Sequence, residues 1–223
     1  MGVGHLAVAV ILKKVEPKIN LGFLVFAAFL ADFLLGILVL LGAEQIHIPL
    51  NFNELHYLTF SFPYSHGLTA TILWSLAAYL LASIGFKNKR AGLIMGVAVF
   101  SHFILDLIVH IPELPLTDND SVKFGLGLWN YMEIVLGLEL AIVAVALVLY
   151  LRFIPRLSRS NRIGVAMLLV FTAIMTIMGQ LVSNQAPPPA LVAVSWIGET
   201  VLLSLATMVL DWKQPSSKTH WDV

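Results

Sequence analysis

Six apolar stretches, each about the length of a membrane-crossing helix, constrain this sequence more than any other feature. They cover approximately residues 21–43, 66–86, 91–111, 129–151, 163–183 and 191–211. A helix needs about 20 apolar residues to cross a hydrocarbon core about 30 Å thick, and each stretch reaches that length. The sequence therefore predicts an all-α fold, a multi-pass transmembrane helical bundle with about six spanning helices.

The first residues form a shorter apolar run that ends in lysine. Residues 2–12 are too few to span the bilayer, so we expect a short amino-terminal half-helix that enters the membrane against its neighbours. The lysines follow the apolar run, which is not the order of a secretory signal. No internal repeat is evident, so we expect residues 1–223 to form a single membrane domain.

Composition excludes several classes of protein. Charged residues make up only 12% of the chain, about half their share in an ordinary soluble domain. The chain has no cysteine, which excludes disulfides, thiolate metal sites and a cysteine nucleophile. No phosphate-binding loop, dinucleotide fingerprint or G-x-S-x-G elbow occurs. The arginines of residues 152–162 suit lipid headgroups, so we expect membrane lipids as partners and no nucleic acid.

Lysine and arginine are concentrated in every second loop between the predicted spans. Basic residues precede the first predicted span and follow the second, fourth and sixth, whereas Lys123 is the single basic residue in the opposite loops. By the positive-inside rule the basic loops face the cytoplasm. This pattern works only with six spans, and it predicts that both termini are cytoplasmic.

Three ionisable residues lie on one face of the third predicted span. His102, Asp106 and His110 recur every four residues, so they share one stripe of a helix. An imidazole offers a nitrogen lone pair and a carboxylate an anionic oxygen, so two such groups one turn apart can chelate a divalent ion. Ionisable groups inside a membrane are costly and mark functional sites by default. The alternative is that they hydrogen-bond to one another and only hold helices together.

Polar residues of other segments reach similar depths. Asp32 lies about 17 Å from the cytoplasmic end of the first span, and His5 lies about 12 Å from the lysines, at 1.5 Å per residue. His66 opens the second predicted span. Glu139 and Glu199 lie deep in the fourth and sixth spans, where each would serve as a general base or as an interhelical hydrogen-bond donor.

Four short motifs occur in an order that is familiar from one family. They are Gly4–His5, Asp32, Ser65–His66–Gly67 and the S-H-F-x-L-D-x-x-x-H run of Ser101–His110. Together they resemble the bacterial membrane-bound, metal-dependent hydrolase family that includes LexA-regulated inner-membrane proteins. The resemblance covers most of the chain and is strongest in the first 110 residues.

This resemblance implies a multi-pass protein of the bacterial inner (cytoplasmic) membrane that holds a divalent metal. The metal ligands that it implies are His5, Asp32, His66, His102 and Asp106. One departure concerns residues 61–63, which read Ser-Phe-Pro where many members have His-Arg-Gly. Because five groups are more than one zinc ion takes, either two metals bind or one group acts as a base.

The sequence therefore favours a membrane-embedded metal-dependent hydrolase with zinc as the expected metal. His110 is an additional candidate ligand, and Asp106 and Glu139 are the candidate catalytic residues. The substrate is expected to be a small amphipathic or lipid-linked molecule near the outer leaflet, reached between residues 44–65 and 112–128. The alternatives are a proton or divalent-ion transport protein that uses the same polar column, and a non-catalytic membrane scaffold.

Overall fold

The computed structural model describes residues 2–153, 159–182 and 185–212. The fold is nearly all-α, and 72% of it is helical. Their α helices are α1 (Gly2–Val15), α2 (Leu21–Ala28), α3 (Leu30–Leu40), the single turn α4 (Phe52–Leu55), α5 (Leu68–Gly85), α6 (Lys89–Val109), α7 (Met132–Phe153), α8 (Arg159–Val182) and α9 (Pro189–Leu210). A 3₁₀ turn, Leu128–Tyr131, leads into α7. The all-α prediction is confirmed.

Two short antiparallel hairpins lie at the end of the bundle where α5 begins and α6 ends. Strands β1 (Gln45–His47) and β2 (Thr59–Ser61) pair with Ile46 opposite Phe60. Strands β3 (Leu114–Pro115) and β4 (Lys123–Phe124) pair with Leu114 opposite Phe124. The loops predicted outside the helices therefore contain ordered strands, which sequence analysis did not anticipate.

Five helices, α5 to α9, are long and apolar enough to cross a membrane, and α2 with α3 makes a sixth when the bent pair is counted as one span. Their outward faces expose large apolar side chains: Leu81 is 72% exposed, Ile84 74% and Leu202 68%. Such extensive apolar surface suits contact with lipid. The structure is thus compatible with the predicted multi-pass membrane protein.

The first predicted span is bent instead of continuous. α2 ends at Ala28 and α3 begins at Leu30, and the two axes differ by 52°. Phe29 between them has φ −101° and ψ 9°. The carbonyl of Ala28 accepts a hydrogen bond from His102 Nδ1 at 2.7 Å. A side chain that inserts into the helical ladder is an established cause of a kink without proline, and it accounts for a bend that residues 21–43 alone did not reveal.

The amino-terminal half-helix α1 is buried within the bundle. Its 14 residues extend for about 21 Å, which is too short to span. Val3, Leu6 and Val10 are almost fully buried and belong to the main apolar core, with residues of α2, α6, α7 and α8. His5 is carried on this helix and is 1% exposed. Packing of α1 therefore places a polar side chain deep in the interior.

A buried ion pair anchors the lysine end of α1. Lys13 Nζ lies 2.5 Å from Asp211 Oδ2 and donates to the carbonyls of Pro17 and Ile19. The same Asp211 oxygen accepts from the backbone N–H of Leu21 at 2.6 Å. These contacts fix α1, the start of α2 and the end of α9 relative to one another.

Two glycines let helices approach closely. A Cβ at Gly92 of α6 would lie 1.9 Å from Ser83 Oγ of α5, and a Cβ at Gly36 of α3 would lie 2.6 Å from the Ala193 carbonyl of α9. Small residues at such crossings are typical of membrane helix packing. The second crossing brings α9 against α3, the helix that carries Asp32.

Four aromatic side chains cover the hairpin end of the interior. We call Phe60, Phe62, Trp129 and Trp196 the aromatic layer. Phe60 stacks on Phe62 with ring centres 5.1 Å apart and contacts Trp129 and Trp196 at 6.5 and 5.8 Å. Both phenylalanines are buried. The layer therefore separates the polar interior from the connecting loops.

Candidate metal centre

His102 of α6 is held in one tautomer by the bend in α2–α3. Its Nδ1 contacts the Ala28 carbonyl, and because a carbonyl only accepts hydrogen bonds, Nδ1 must carry the proton. In the neutral ring Nε2 is then an unprotonated lone pair. This nitrogen lies 3.1 Å from Asp106 Oδ2. The bend thus presents His102 as a nitrogen ligand beside a carboxylate.

His66 is oriented by a chain of hydrogen bonds that ends at a buried glutamate. Ser65 Oγ donates its one proton to Glu44 Oε2 at 2.7 Å. Ser65 Oγ must therefore accept the hydrogen bond from His66 Nδ1 at 2.8 Å. In the neutral ring this leaves the lone pair on His66 Nε2. Glu44 Oε1 also accepts from the backbone N–H groups of Tyr64 and Ser65. The 21-residue separation between Glu44 and Ser65 hid this relationship from sequence analysis.

His110 follows the same rule at the end of α6. Its Nδ1 lies 2.7 Å from Glu113 Oε1, and the other oxygen of that carboxylate accepts from the backbone N–H of Phe60. His110 Nε2 is then directed towards Asp106 Oδ2, at 3.7 Å. Its ring also packs against Trp129, with centres 3.9 Å apart. Three imidazoles therefore have Nδ1 held by a partner and Nε2 facing the same carboxylate.

Asp106 is the centre of the cluster. Its oxygens lie within 4 Å of ring nitrogens of four histidines: His5 at 3.2 Å, His66 at 3.6 Å, His102 at 3.1 Å and His110 at 3.7 Å. It is 2% exposed. The four-residue spacing predicted the contacts within α6, and tertiary packing adds His5 and His66.

Two overlapping sets of three side chains have the spacing of metal ligands. One is His66, His102 and Asp106, and the other is His5, Asp32 and His102; in each set the ligand atoms lie within 4.8 Å of one another. Five of the six residues predicted as ligands belong to these sets, and the sixth, His110, has its Nε2 3.7 Å from Asp106 Oδ2. These buried groups are able to bind a metal ion.

The distances fit a small tetrahedral ion. Bonds of about 2.0–2.1 Å to zinc place neighbouring ligand atoms about 3.3 Å apart. His66 Nε2 and His102 Nε2 are 3.1 Å apart, and each lies 3.6 Å from Asp32 Oδ1. Two neutral rings that both present Nε2 lone pairs at this distance repel one another, and a cation or a proton between the two nitrogens removes the repulsion. The donor set therefore suits a bound divalent ion.

A cavity of about 190 Å³ adjoins the cluster. Asp32, His66, Asp106 and His110 contribute to its wall, and the aromatic layer closes one side. The side chain of Asp32 is 20% exposed, whereas those of His66 and Asp106 are 3% and 2% exposed. Asp32 is therefore the ligand that a molecule in this cavity meets most readily.

The two deep glutamates occupy different places. Glu199 lines the cavity. Glu139, a candidate catalytic residue from the sequence, is not part of the cavity wall. Its side chain faces the first turn of α1, near the backbone N–H groups of Val3 and Gly4. It does not complete a hydrogen bond of standard geometry with them. Both residues were predicted at similar depth, and only the rotation of their helices separates them.

The histidines of the predicted outer loop lie apart from the cluster. His47 is exposed and its Nε2 contacts Ser61 Oγ at 2.9 Å. His56 ends the single turn α4 in a left-handed conformation with φ 57°. Neither belongs to the sets of metal-ligand spacing found among the described residues. Their interpretation as surface residues remains the simplest one.

No known protein family, curated protein or solved structure matches this chain. Assignment of the site therefore depends on its own geometry and on the motifs described above.

Proposed function

We propose that this chain is a membrane-embedded metal-dependent hydrolase that binds zinc through His66, His102 and Asp106. The observation that carries the proposal is the common orientation of the imidazoles. A partner on Nδ1 turns each Nε2 towards one carboxylate, and a metal site needs that arrangement of oriented ligands. Asp32 and His5 are the neighbouring groups that complete the coordination or hold a second ion.

The residues of the cavity have different roles in the proposed reaction. His66, His102 and Asp106 would hold the divalent ion, which would supply Lewis-acid chemistry next to the cavity. Asp32 is the exposed member of the cluster and therefore orients the reacting group. Glu199, in the cavity wall, is the carboxylate placed to accept a proton. Glu139 is not among the residues that line the cavity.

A lipid-linked or amphipathic substrate suits the location of the cavity. The cavity lies inside the bundle between α3, α6 and α9, helices whose outer faces are apolar. The aromatic layer shields it from the loop side. Hydrolysis inside such a bundle requires a substrate that partitions into the membrane.

Transport of protons or ions is less well supported by the packing. A transport protein needs polar access to the cluster from both sides of the membrane. Between the cluster and Lys13, α1, α2 and α6 pack through buried apolar residues that include Leu6, Val10, Leu24 and Val99. This apolar layer favours a site that is closed towards the lysine end.

Elemental analysis of the detergent-purified protein tests metal binding. We expect about one or two zinc ions per chain, each with three or four protein ligands. His102→Ala should lose most of the metal, while His47→Ala, a matched histidine change at an exposed position, should retain it. Full zinc occupancy in both His102→Ala and Asp106→Ala would overturn the proposed site.

Hydrolysis is tested separately with a bacterial lipid extract. Wild-type protein with zinc should convert one lipid class to a product that mass spectrometry detects, and a chelator or His102→Ala should abolish this conversion. Absence of any conversion by the zinc-loaded wild type would refute the hydrolase and favour a scaffold.

A further inference from the structure

A second, larger cavity adjoins the candidate metal centre. It is an open groove of about 720 Å³ between α8 and α9. We call it the lateral groove, and its wall includes Leu168, Phe171, Met175, Glu199, Leu202 and Ala206. Apart from Glu199 and the hydroxyl residues Thr172, Thr176 and Ser195, the wall is apolar, and Phe171, Met175 and Leu202 are more than half exposed. The groove therefore opens towards the lipid.

Glu199 belongs to the walls of both cavities. On one side of it lies the polar space bounded by Asp32 and His66, and on the other lies the lateral groove. Gln180 of α8 also lines the polar space, and its Oε1 atom is buried with no hydrogen-bond partner in the described part of the chain. A ligand in the polar space would supply the donor that this oxygen lacks.

The loop side of the polar space is closed. From the sequence, a substrate is expected to enter from the outer leaflet or the external loop side, with residues 44–65 and 112–128 as the rim. Phe60 in strand β2 and Phe62 just after it are only 7% and 1% exposed. With Trp129 and Trp196 they form part of the cavity wall. The remaining polar group exposed at the cluster is Asp32, on the helix that packs against α9. An approach from the side of α9 avoids these two buried rings.

We infer that the lateral groove holds the hydrocarbon tail of the substrate, whose polar head reaches the His/Asp cluster from the bilayer by passing Glu199. This inference rests on the proposed hydrolase function. A polar cavity and an adjoining apolar groove are complementary to one amphiphile. The polar head is buried among polar groups and the hydrocarbon tail among apolar side chains. The head meets Asp32, Gln180 and Glu199, and the tail meets Phe171, Met175 and Leu202.

The length of the groove agrees with this occupant. Its wall on α9 extends from Ser195 to Ala206, which is about 16 Å at 1.5 Å per residue. The hydrocarbon core is about 30 Å thick, so the groove is about as long as the tail region of one leaflet. From Glu199, where the head would pass, the wall on α9 continues to Ala206, which is about 10 Å and accommodates the first part of an extended chain.

A long-chain alkyl phosphate with a diazirine near the end of its chain is the probe for the tail. We would photolyse it with the purified zinc-loaded protein and map the cross-links by mass spectrometry. Gly198→Trp is the blocking variant, because Gly198 lines the groove and has no side-chain or backbone atom within 4 Å of its ideal Cβ position. Gly137→Trp is the matched control, because Gly137 of α7 is exposed and equally open but outside the groove.

Wild type and Gly137→Trp should be labelled at Phe171, Met175 or Leu202. Gly198→Trp should lose about tenfold or more of this labelling, because its indole occupies the space of the tail, while its zinc content stays unchanged. Equal groove labelling in the two tryptophan variants, or labelling confined to β1–β4, would overturn the inference.

Failure of the proposed function gives a different pattern. In that case wild-type protein contains no zinc and converts no lipid, whatever the cross-links show. If zinc binds and lipid is converted at the wild-type rate by Gly198→Trp, the hydrolase stands and the groove is not the tail site. If Gly198→Trp converts long-chain lipid more slowly while its zinc content is unchanged, the result supports both the hydrolase function and the lateral groove as the tail site.

Discussion

Replacing Ser65 with alanine should weaken metal binding without removing any ligand. Ser65 Oγ has one proton, which it donates to Glu44 Oε2 at 2.7 Å. Its lone pair receives the Nδ1 proton of His66 at 2.8 Å. In Ser65→Ala this acceptor is gone, so the His66 ring loses the contact that fixes both its orientation and its tautomer.

The expected size of the effect follows from the behaviour of such supporting groups. Loss of a hydrogen-bond partner of a metal-binding histidine reduces metal affinity about 10–100-fold, or about 1.4–2.8 kcal/mol. The upper part of this range applies here, because Ser65 is 1% exposed and water has little access to replace its hydroxyl. The remaining ligands His102 and Asp106 keep their own partners, so metal binding should persist.

Zinc affinity is measured by competition with a chelator of known affinity, with the metal counted by elemental analysis. Ser61→Ala is the matched control, because Ser61 Oγ contacts His47 Nε2 at 2.9 Å in a pair that is exposed. This control should bind zinc as the wild type does. Wild-type affinity in Ser65→Ala, or the same loss in both variants, would refute the role assigned to the Glu44–Ser65–His66 chain.

Two further predictions concern stability and orientation. Lys13→Met leaves the buried carboxylate of Asp211 without its cation and should cost about 3–5 kcal/mol of unfolding free energy; denaturant titration in detergent should show little change for the exposed neighbour Lys14→Met. A reporter fused after Asn119 should be external and one after Lys89 cytoplasmic, as the basic loops predict, and the reverse result would invert the proposed orientation.

Helix positions and the α6 stripe were predictable because both depend on local sequence. A run of about 20 apolar residues is sufficient to indicate a spanning helix, and α5 to α9 lie where the runs do. A four-residue repeat places His102, Asp106 and His110 on one face of any regular helix, and the structure keeps them within 4 Å of one another through Asp106. No tertiary information was needed for either result.

The groups that orient His102 and His66 were not predictable, because Ala28 and Glu44 come from distant parts of the chain. Glu44 lies in a loop that sequence analysis treated as connective, yet it is 2% exposed and holds Ser65. Glu113 follows α6 and is 6% exposed. A buried acidic residue in a loop has no sequence signature of its own, and only the packing of the hairpins reveals that Glu113 contacts the His110 ring directly and that Glu44 reaches the His66 ring through Ser65.

The choice between Glu139 and Glu199 illustrates the same limit. Both lie one-third to two-thirds of the way along a spanning helix, so depth does not separate them. Their roles depend on the rotation of α7 and α9 about their axes, which is set by contacts with other helices. α9 packs closely against α3 at Gly36 and Ala193 and presents Glu199 to the cavity, whereas α7 presents Glu139 to the first turn of α1.

The bend at Phe29 shows how one local irregularity prepares two ligands. In an unbroken helix the Ala28 carbonyl would accept the N–H of Asp32, four residues later. The bend instead directs this carbonyl to His102 Nδ1, which leaves the Nε2 lone pair facing Asp106. It also starts a new helix, so that Asp32 falls in the first turn of α3, where the free N–H groups and the helix dipole stabilise a carboxylate. A continuous span would provide neither the histidine tautomer nor this stabilisation of Asp32, and the bend is therefore as necessary to the proposed metal centre as the ligands are.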